Sequence, residues 1–330
     1  MTTLSDDMLR DLRAQMEARM VAAAPGLIGV RTSGRTPGTG VVSCVVRDEM
    51  THLPHFLAHH REIGVRRFAF VDNLSSDGTV DYLLAQPDCD VYRHDGDVLA
   101  AASGAVWRNL LLRRYPDAPW QLGIDADELT VYDGWPGREI DAVAAALTRA
   151  GRGSATGIMI DLYGPGPILE TRVGPGQSLL EACPLFDGDG YTIEQPVDWR
   201  AENFPRLNIR GGPEMRAIRG RSEYGWLAKN PLILAPDVVF RDTHTVLPVE
   251  QNFAHPQLAI LHLRWFDHFA GKLERVREWR QHRPGSIHAY EQVAARLEAE
   301  PGFSFSYAGS RRLESGRQLV TLGLIDPIAA

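Results

Sequence analysis

The sequence has few cysteines, no long apolar run and no excess of basic residues. Its three cysteines, Cys44, Cys89 and Cys183, lie far apart and form no C-x-x-C pair, which argues against a disulfide framework or a cysteine zinc site and fits a reducing compartment. Because no stretch of about 18 apolar residues occurs, no transmembrane helix is expected. The net charge of -7 argues against a surface that coats nucleic acid.

The amino terminus lacks the basic start and the apolar core of a signal peptide. We therefore expect a cytoplasmic protein, and peripheral contact with a membrane stays open. The chain has 330 residues, of which 44% are hydrophobic and 23% are charged. This composition is typical of a globular protein with an ample core.

Three segments are predicted along the chain. Near the amino terminus, apolar residues recur every three or four positions, which predicts an amphipathic helix. This helix is expected to pack on the main domain or on a partner subunit, which would give a homo-oligomer. The segments are 1–40 (N-terminal helix and linker), 41–265 (the main domain, with halves 41–132 and 133–265) and 266–330 (a C-terminal helical extension).

Strands and helices alternate from Val41 onward. This alternation is typical of an α/β fold with a mostly parallel sheet covered by helices on both faces. Residues 163–215 are rich in Gly and Pro, and they are too long for a plain connection, which suggests acceptor-binding structure. The predicted strands are 41–46, 67–72, 90–93, 120–124, 155–162 and 258–263. The predicted helices are 4–24, 53–63, 79–85, 100–115, 269–281 and 289–299.

Polar residues follow three of these strands, at the edge where ligands bind in parallel sheets. They are Arg47-Asp48-Glu49, the stretch 72–79, and Asp125-Ala126-Asp127-Glu128, which we call the acidic quartet. Three crowded carboxylates repel one another. A Mg2+ or Mn2+ ion between Asp125 and Asp127 would relieve this repulsion and keep positions open for substrate phosphates. The alternative is an acidic turn, because Asp is common in turns.

In this combination the motifs resemble those of glycosyltransferases with the GT-A fold, in a bacterial branch similar to family 2. The resemblance implies a GT-A-like (Rossmann-like) fold. It is strongest over 41–132 and weakest over 133–257. The matching motifs are Val46-Arg47-Asp48-Glu49, the run 57–65, the turn 71–79, the acidic quartet as a D-x-D motif, and Ile260-Leu261-His262-Leu263 with Lys272.

The resemblance implies a nucleotide-binding role for several residues. Asp72 would accept hydrogen bonds from the nucleoside, since a carboxylate suits a uracil N–H or ribose hydroxyls. Arg47 and Glu49 would border the same base or ribose, and Asn73 lies in the same turn. Arg108 is a candidate contact to the nucleotide or the diphosphate, with a surface arginine as the alternative.

The resemblance also implies a metal site. Asp125 and Asp127 would hold Mn2+ or Mg2+ against the diphosphate, with Asp125 counted among the nucleotide contacts as well. His262 is the candidate third ligand and His244 is the second choice. Such a cation neutralises charge on the departing nucleoside diphosphate.

An inverting transfer needs a base that removes the acceptor proton. The sequence does not identify it, and the candidates are Asp161, Glu214 and Glu128. Lys229 is a candidate contact to the diphosphate as a point charge. A basic run is expected to be a solvated face, with phosphate or acidic-sugar recognition as the alternative; it consists of Arg210, Arg216, Arg219 and Arg221.

Three conspicuous residues are predicted to be structural. Asp77 is interpreted as a cap of the next helix, because Asp satisfies free N–H groups there. His59 and His60 are adjacent on a helix, and adjacent positions do not face the same way, so both cannot easily bind one ion.

The resulting hypothesis is a metal-dependent, inverting glycosyltransferase. Its donor would be a UDP- or GDP-linked sugar, and its acceptor a glycan or a lipid-linked glycan, as in polysaccharide assembly. One alternative is a nucleotidyltransferase, although the Gly-rich loop with Lys or Arg that such an enzyme needs after the first strand is missing. The other is a catalytically silent protein that binds nucleotide sugars.

Overall fold

A computed structural model describes residues 6–32, 40–195, 205–220, 226–279 and 284–329. The helices are α1 (Asp6–Ala23), α2 (Leu53–Glu62), α3 (Thr79–Leu84), α4 (Ala105–Leu112), α5 (Ile140–Arg149), α6 (Leu179–Ala182), α7 (Gly212–Glu214), α8 (Phe269–Trp279), α9 (Pro284–Ala299) and α10 (Gly316–Thr321). Short 3-10 turns lie at Ala24–Gly26, Ile168–Glu170 and Val249–Asn252, and a π-helical turn lies at Met215–Arg219.

The strands are β1 (Ile28–Arg31), β2 (Val41–Val46), β3 (Arg67–Asp72), β4 (Cys89–Arg93), β5 (Trp120–Gly123), β6 (Glu128–Tyr132), β7 (Ser154–Tyr163), β8 (Leu185–Asp187), β9 (Thr192–Glu194), β10 (Asn208–Arg210), β11 (Ala228–Leu234), β12 (Val239–Phe240), β13 (Val246–Leu247), β14 (Leu258–Trp265) and β15 (Ser310–Arg312).

One large sheet organises the molecule, in the order β1-β4-β3-β2-β5-β11-β7-β14-β6. Strands β2, β3, β4 and β5 pair in parallel, and so do β7 and β14. Strands β1, β11 and β6 run antiparallel to their neighbours. The predicted α/β class with a mostly parallel sheet is therefore confirmed, and the antiparallel strands are an addition to it.

The central strands are apolar on both sides because helices cover both faces of the sheet. In β2, Val42 and Cys44 face the core that includes α2, α3 and α5. Val41 faces the opposite core, to which α1 contributes Met16 and Met20 and α4 contributes several apolar side chains. All three cysteines are free and buried, so Cys44 is a small core residue as expected.

The predicted elements over the first half of the chain are confirmed, with shifted ends. The helix predicted over 100–115 is shorter, because Ala102, Ser103 and Gly104 have positive φ values of 54°, 57° and 87°, which an α-helix does not allow. Strand β1 begins within the N-terminal segment, and residues 33–39 of the predicted linker lie outside the described residues. Helix α5 was not predicted.

The C-terminal region is joined to the main domain by strand pairing and by side-chain contacts. Strand β15 pairs with β8, which pairs with β7, so the large sheet continues past residue 265. Within the described part of the chain, no helix combines the length and the apolar character that a membrane crossing requires.

Only residues 124–127 connect β5 to β6, although three strands lie between them in the sheet.

Candidate functional site

Residues predicted from distant parts of the sequence gather along one edge of the sheet. The parallel strands β2, β3 and β5 end there; Asp72 is the last residue of β3, and the loop 47–49 and the acidic quartet come after β2 and β5. Strands β7 and β14 carry Asp161 and His262, which are paired in register. Glu128 begins β6 and lies opposite His262. This edge is the carboxyl edge at which α/β sheets bind ligands, and we call the space beside it the cleft.

One half of the site is a buried ion-pair group formed by Asp125, Glu128, Lys229 and Arg108. Lys229 Nζ donates to Asp125 Oδ2 at 2.9 Å and to Glu128 Oε2 at 2.5 Å. Arg108 Nη2 donates to Asp125 Oδ1 and, at 3.2 Å, to the carbonyl of Ile124. Lys229 and Arg108 are each 1% exposed. Both cations are therefore enclosed beneath the cleft.

Burial and ion pairing set the charges in this group. Burial alone would raise the pKa of Asp125, but the charges of Lys229 and Arg108 outweigh it and hold the pKa well below its usual range. Burial has the larger effect on Glu128 and raises its pKa despite Lys229. Because Arg108 is buried, the interpretation of it as a surface arginine is wrong. Lys229 neutralises two carboxylates and does not line the open cleft.

The other half is an outer ion-pair group formed by Asp127, His262, Lys272 and Glu49. Lys272 Nζ donates to Asp127 Oδ2 at 2.7 Å and lies 3.9 Å from Glu49 Oε1. His262 Nε2 lies 3.5 Å from Asp127 Oδ2, and His262 Nδ1 lies 3.0 Å from Asp161 Oδ1. Both nitrogens of the imidazole therefore face carboxylates.

This position keeps His262 protonated. Burial and the charge of Arg264 would lower the pKa of His262, but Asp127 and hydrogen bonds to Asp127 and Asp161 raise it to about 9. At neutral pH the ring thus carries a positive charge. To act as a metal ligand it would first have to lose a proton, at a cost of about 3 kcal/mol.

Asp161 and Glu214 belong to a third set of ion pairs behind His262. Arg264 donates to Asp161 Oδ1 at 3.2 Å and to Glu214 Oε2 at 2.7 Å. Arg219 donates to Glu214 Oε1 at 3.2 Å. Burial would raise the pKa of Asp161, but Arg264 and His262 hold it well below its usual range. An ionised carboxylate with two cationic partners is a weak proton acceptor.

Asp72 has a buried oxygen with no hydrogen bond. Its Oδ1 accepts the amide of Ser75 at 3.1 Å, whereas Oδ2 is enclosed and receives no hydrogen bond within the described part of the chain. Arg93 forms a loose ion pair with Oδ2, with Nε 3.8 Å away and the side chain 54% exposed. An unmatched buried acceptor is costly unless a ligand donates to it. The position therefore suits a ligand N–H or O–H.

The neighbouring side chains in this turn are structural. Asn73 Nδ2 donates to the carbonyls of His94 and Gly96, so it holds the loop after β4. Asp77 accepts the amide of Thr79 in the first turn of α3 and the amide of Met50. Asp77 thus satisfies a free N–H of α3 as predicted, although the N-cap position itself is Gly78.

Helix α8 covers the cleft from the C-terminal side. It supplies Lys272 to the outer group, and at its end the Trp279 ring packs against Arg47, with the guanidinium carbon 4.4 Å from the ring centroid. His268, just before the helix, contacts Thr51. Arg47 and Glu49 therefore contact α8, although sequence analysis placed this helix in a separate extension.

The residues as arranged do not fit a divalent cation. Both oxygens of Asp125 are held by buried cations, Asp127 is paired with Lys272, and His262 is protonated. Within the described ranges, no group of three or more His, Cys, Asp or Glu side chains is arranged to hold a metal ion. Two unit charges 4 Å apart interact with about 4 kcal/mol at an effective dielectric constant near 20, and a divalent ion beside Lys229 would be repelled about twice as strongly. The repulsion that suggested a metal is relieved here by the protein's own cations.

The remaining candidates lie away from the acidic quartet or have structural partners. His244 Nδ1 donates to the Ala228 carbonyl at 3.0 Å, and burial together with nearby cations lowers its pKa to about 3. His59 bonds the Thr130 carbonyl and His60 bonds the Phe56 carbonyl, so their structural interpretation is confirmed.

The basic run does not form one surface. Arg210 pairs with Glu194, Arg216 pairs with the buried Asp187, and Arg219 pairs with Glu214. Arg221 lies outside the described residues.

Two contributors, Arg264 and Trp279, were not predicted from the sequence, and Lys272 was assigned no role. One available signal was the scarcity of lysine. The sequence contains two lysines among 35 Lys and Arg residues, and these two, Lys229 and Lys272, both contact the acidic quartet.

Comparisons with known proteins gave no family model and no curated protein that matches this chain. Among solved structures, two of S. aureus TarS resemble it. The first has a TM-score of 0.29 and 15% identity over 44% of this chain and 43% of its own. The second has a TM-score of 0.27 and 13% identity over 42% of this chain and 23% of its own. The mannosyltransferase PcManGT from Pyrobaculum calidifontis, solved with GDP-Man and Mn2+, has a TM-score of 0.29 and 15% identity over 89% of this chain and 87% of its own. A 4-diphosphocytidyl-2C-methyl-D-erythritol synthase has a TM-score of 0.25 and 16% identity over 43% of this chain and 65% of its own.

Proposed function

We propose that this chain is a glycosyltransferase that transfers a sugar from a UDP- or GDP-linked donor to a hydroxyl group of a glycan or a lipid-linked acceptor. The observation that carries the proposal is the position of Asp72 Oδ2, a buried acceptor without a hydrogen bond, two strands away from the acidic quartet. Strands are spaced by about 4.8 Å. The cleft thus offers an acceptor for the nucleoside and a charged region about 10 Å away for the diphosphate.

The chain's own residues have separable roles in this function. Asp72 accepts from the nucleoside, and Arg47, which follows the strand residue paired with Asp72, packs on Trp279. Asp125 is held by buried cations but its side chain is 35% exposed. Each of its oxygens keeps a lone pair for a hydroxyl group.

The base of an inverting transfer stays a prediction. Asp161 and Glu214 are tied to Arg264, and Glu128 lies beneath Lys229, so each would have to exchange a partner before it could accept a proton. Metal dependence also stays a prediction, and it requires that Lys272 leave Asp127 and that His262 lose its proton, because the residues as arranged do not fit a divalent cation. If Mn2+ or Mg2+ were bound, it would supply charge neutralisation for the leaving diphosphate.

The test is binding and turnover with a panel of sugar nucleotides, with and without Mn2+. We expect a UDP- or GDP-linked sugar to raise the melting temperature of the wild type and to be hydrolysed slowly. Asp72→Asn should lose this response, whereas Asp117→Asn, at an exposed loop position, should keep it. Stabilisation by nucleoside triphosphates without any response to sugar nucleotides would favour a nucleotidyltransferase. Binding without hydrolysis or transfer to any acceptor would favour a silent binding protein.

A further inference from the structure

We propose that Lys272, from helix α8, is the residue that binds the diphosphate of the nucleotide, exchanging its contact with Asp127 for the phosphate oxygens. This inference rests on the proposed function and assigns a positioning role that lies outside the nucleotide-binding half of the chain. Four observations lead to it, and they concern residue choice, exposure, position and the partners of Asp127.

The choice of residue is selective. The chain uses 33 arginines and two lysines, yet both lysines contact the acidic quartet. An ammonium is a compact point charge with three donors on a flexible stem, whereas a guanidinium is a planar fork. A compact ammonium can lie between carboxylates and still leave room for a phosphate group beside it.

Exposure separates the two lysines. Lys229 is enclosed within β11 and has both of its carboxylate partners in the buried ion-pair group. The side chain of Lys272 is 15% exposed, and it reaches the cleft from a covering helix. Of the two, Lys272 is the one that can change partner without a strand having to move.

The position of Lys272 matches the diphosphate end of a bound nucleotide. Its Nζ lies between Asp127 and Glu49, at 2.7 and 3.9 Å. Glu49 follows β2, the strand next to the one that ends in Asp72. The unmatched Asp72 Oδ2 marks where the nucleoside is expected, so Lys272 lies beyond the nucleoside on the side of the acidic quartet.

Asp127 can release Lys272 without being left as an uncompensated buried charge. The His262 imidazole lies 3.5 Å from the same carboxylate oxygen. When a diphosphate accepts from the Lys272 ammonium, Asp127 keeps His262 as its partner. The phosphate gains a charge-assisted hydrogen bond, which is stronger than a neutral one.

The small number of lysines makes a direct test feasible. Protein labelled with 15N-lysine should give two side-chain ammonium signals in NMR spectra, assigned with Lys272→Arg. We expect UDP or GDP to shift the Lys272 signal and to leave the Lys229 signal in place, in EDTA and again with Mg2+. Uridine or guanosine alone should shift neither signal.

Affinities measured by calorimetry complete the test. Lys272→Met should weaken binding of the diphosphate at least about 30-fold, as expected for loss of a buried charged hydrogen-bond donor, and Lys272→Arg should restore part of it. Arg275→Met, a change on the same helix, should bind the nucleoside diphosphate with an affinity within about twofold of the wild type. If the diphosphate binds but the Lys272 signal does not move, or if Lys272→Met binds as the wild type does, the inference is wrong and the proposed function stands. If the wild type binds no nucleoside diphosphate, both are wrong.

Discussion

Replacing Lys229 with Met tests whether the buried ion-pair group is held together by this lysine. Methionine keeps the length of the side chain but removes the charge. Asp125 keeps Arg108 as a partner, whereas Glu128, which is 2% exposed, loses the cation at 2.5 Å. Removing one partner of a buried pair typically costs about 3–5 kcal/mol. Glu128 can limit this cost by taking up a proton.

The cost should therefore depend on pH. In the unfolded chain, Glu128 is ionised above its ordinary pKa of about 4.3. Folding Lys229→Met with a neutral Glu128 then costs about 1.4 kcal/mol for each pH unit above that value. The raised pKa of the folded carboxyl means that stability is present at low pH and is lost as pH rises. Because the pKa of Glu128 is already raised in the wild type, we expect a deficit of at most about 3–4 kcal/mol at pH 7 and about 1 kcal/mol at pH 5.

The measurement is the free energy of unfolding in urea at pH 5, 6 and 7. Glu128→Gln in the Lys229→Met background should recover most of the deficit at pH 7, because Gln carries no charge to desolvate. Arg296→Met removes an exposed ion pair with Glu300 and should change stability by less than about 0.5 kcal/mol. The reasoning is refuted if Lys229→Met is within 1 kcal/mol of the wild type at pH 7, or if its deficit is equal at pH 5 and pH 7.

Three further predictions concern the nucleoside site, the buried histidines and the C-terminal helix. Asp72→Asn should weaken binding of a UDP- or GDP-linked sugar at least about tenfold while the melting temperature of the free protein stays near that of the wild type, since Oδ2 makes no hydrogen bond that would be lost; titration calorimetry tests this, and unchanged affinity would contradict it. Burial lowers the pKa of His59 to about 4, so the stability that the neutral ring contributes is present above pH 6.5 and is lost as pH falls from 6.5 to 4, by up to about 3 kcal/mol. His59→Gln should flatten the dependence of the free energy of unfolding on pH in this range, and an equally steep dependence would count against the prediction. Gly316→Ala should destabilise by about 1–3 kcal/mol because its Cβ would lie 1.7 Å from the Tyr132 carbonyl oxygen, whereas Gly302→Ala meets no atom within 4 Å and should be neutral in the same urea assay.

The pattern of apolar and polar residues along the sequence was enough to predict the central strands of the fold. The continuous apolar runs of β2, β3 and β5 predicted buried parallel strands, since strands covered on both faces need apolar side chains on both. Helix α5 was missed, although its apolar residues Ile140, Val143, Ala144 and Leu147 are buried at helical spacing. Strand β11 was not recognised either, because it contains Lys229, Asn230 and Pro231 in succession and Pro is unfavourable inside a sheet.

The site was predicted in outline, but its charge balance was not. Adjacency in sequence suggested that Asp125, Asp127 and Glu128 act together. In the structure they belong to two ion-pair groups, because Asp125 and Glu128 share Lys229 whereas Asp127 contacts Lys272 and His262. Arg108 lies 17 residues before Asp125, but Lys229 and Lys272 come from 101 residues after Glu128 and 145 residues after Asp127. No local pattern reports which distant cation meets which carboxylate, so clustered acidic residues were taken to need an added ion.

The short link between β5 and β6 has a consequence for the shape of the sheet. In a flat sheet these strands would be four spacings apart, about 19 Å, whereas five residue steps reach at most about 18 Å when fully extended. The link is not extended, because the Glu128 amide bonds the Asp125 carbonyl at 3.1 Å. The sheet must therefore curl, and it does so around α2, whose His59 bonds β6 at Thr130. The acidic quartet thus joins two strands of a curved sheet, and we expect one residue inserted into it or deleted from it to change the curvature between β5 and β6.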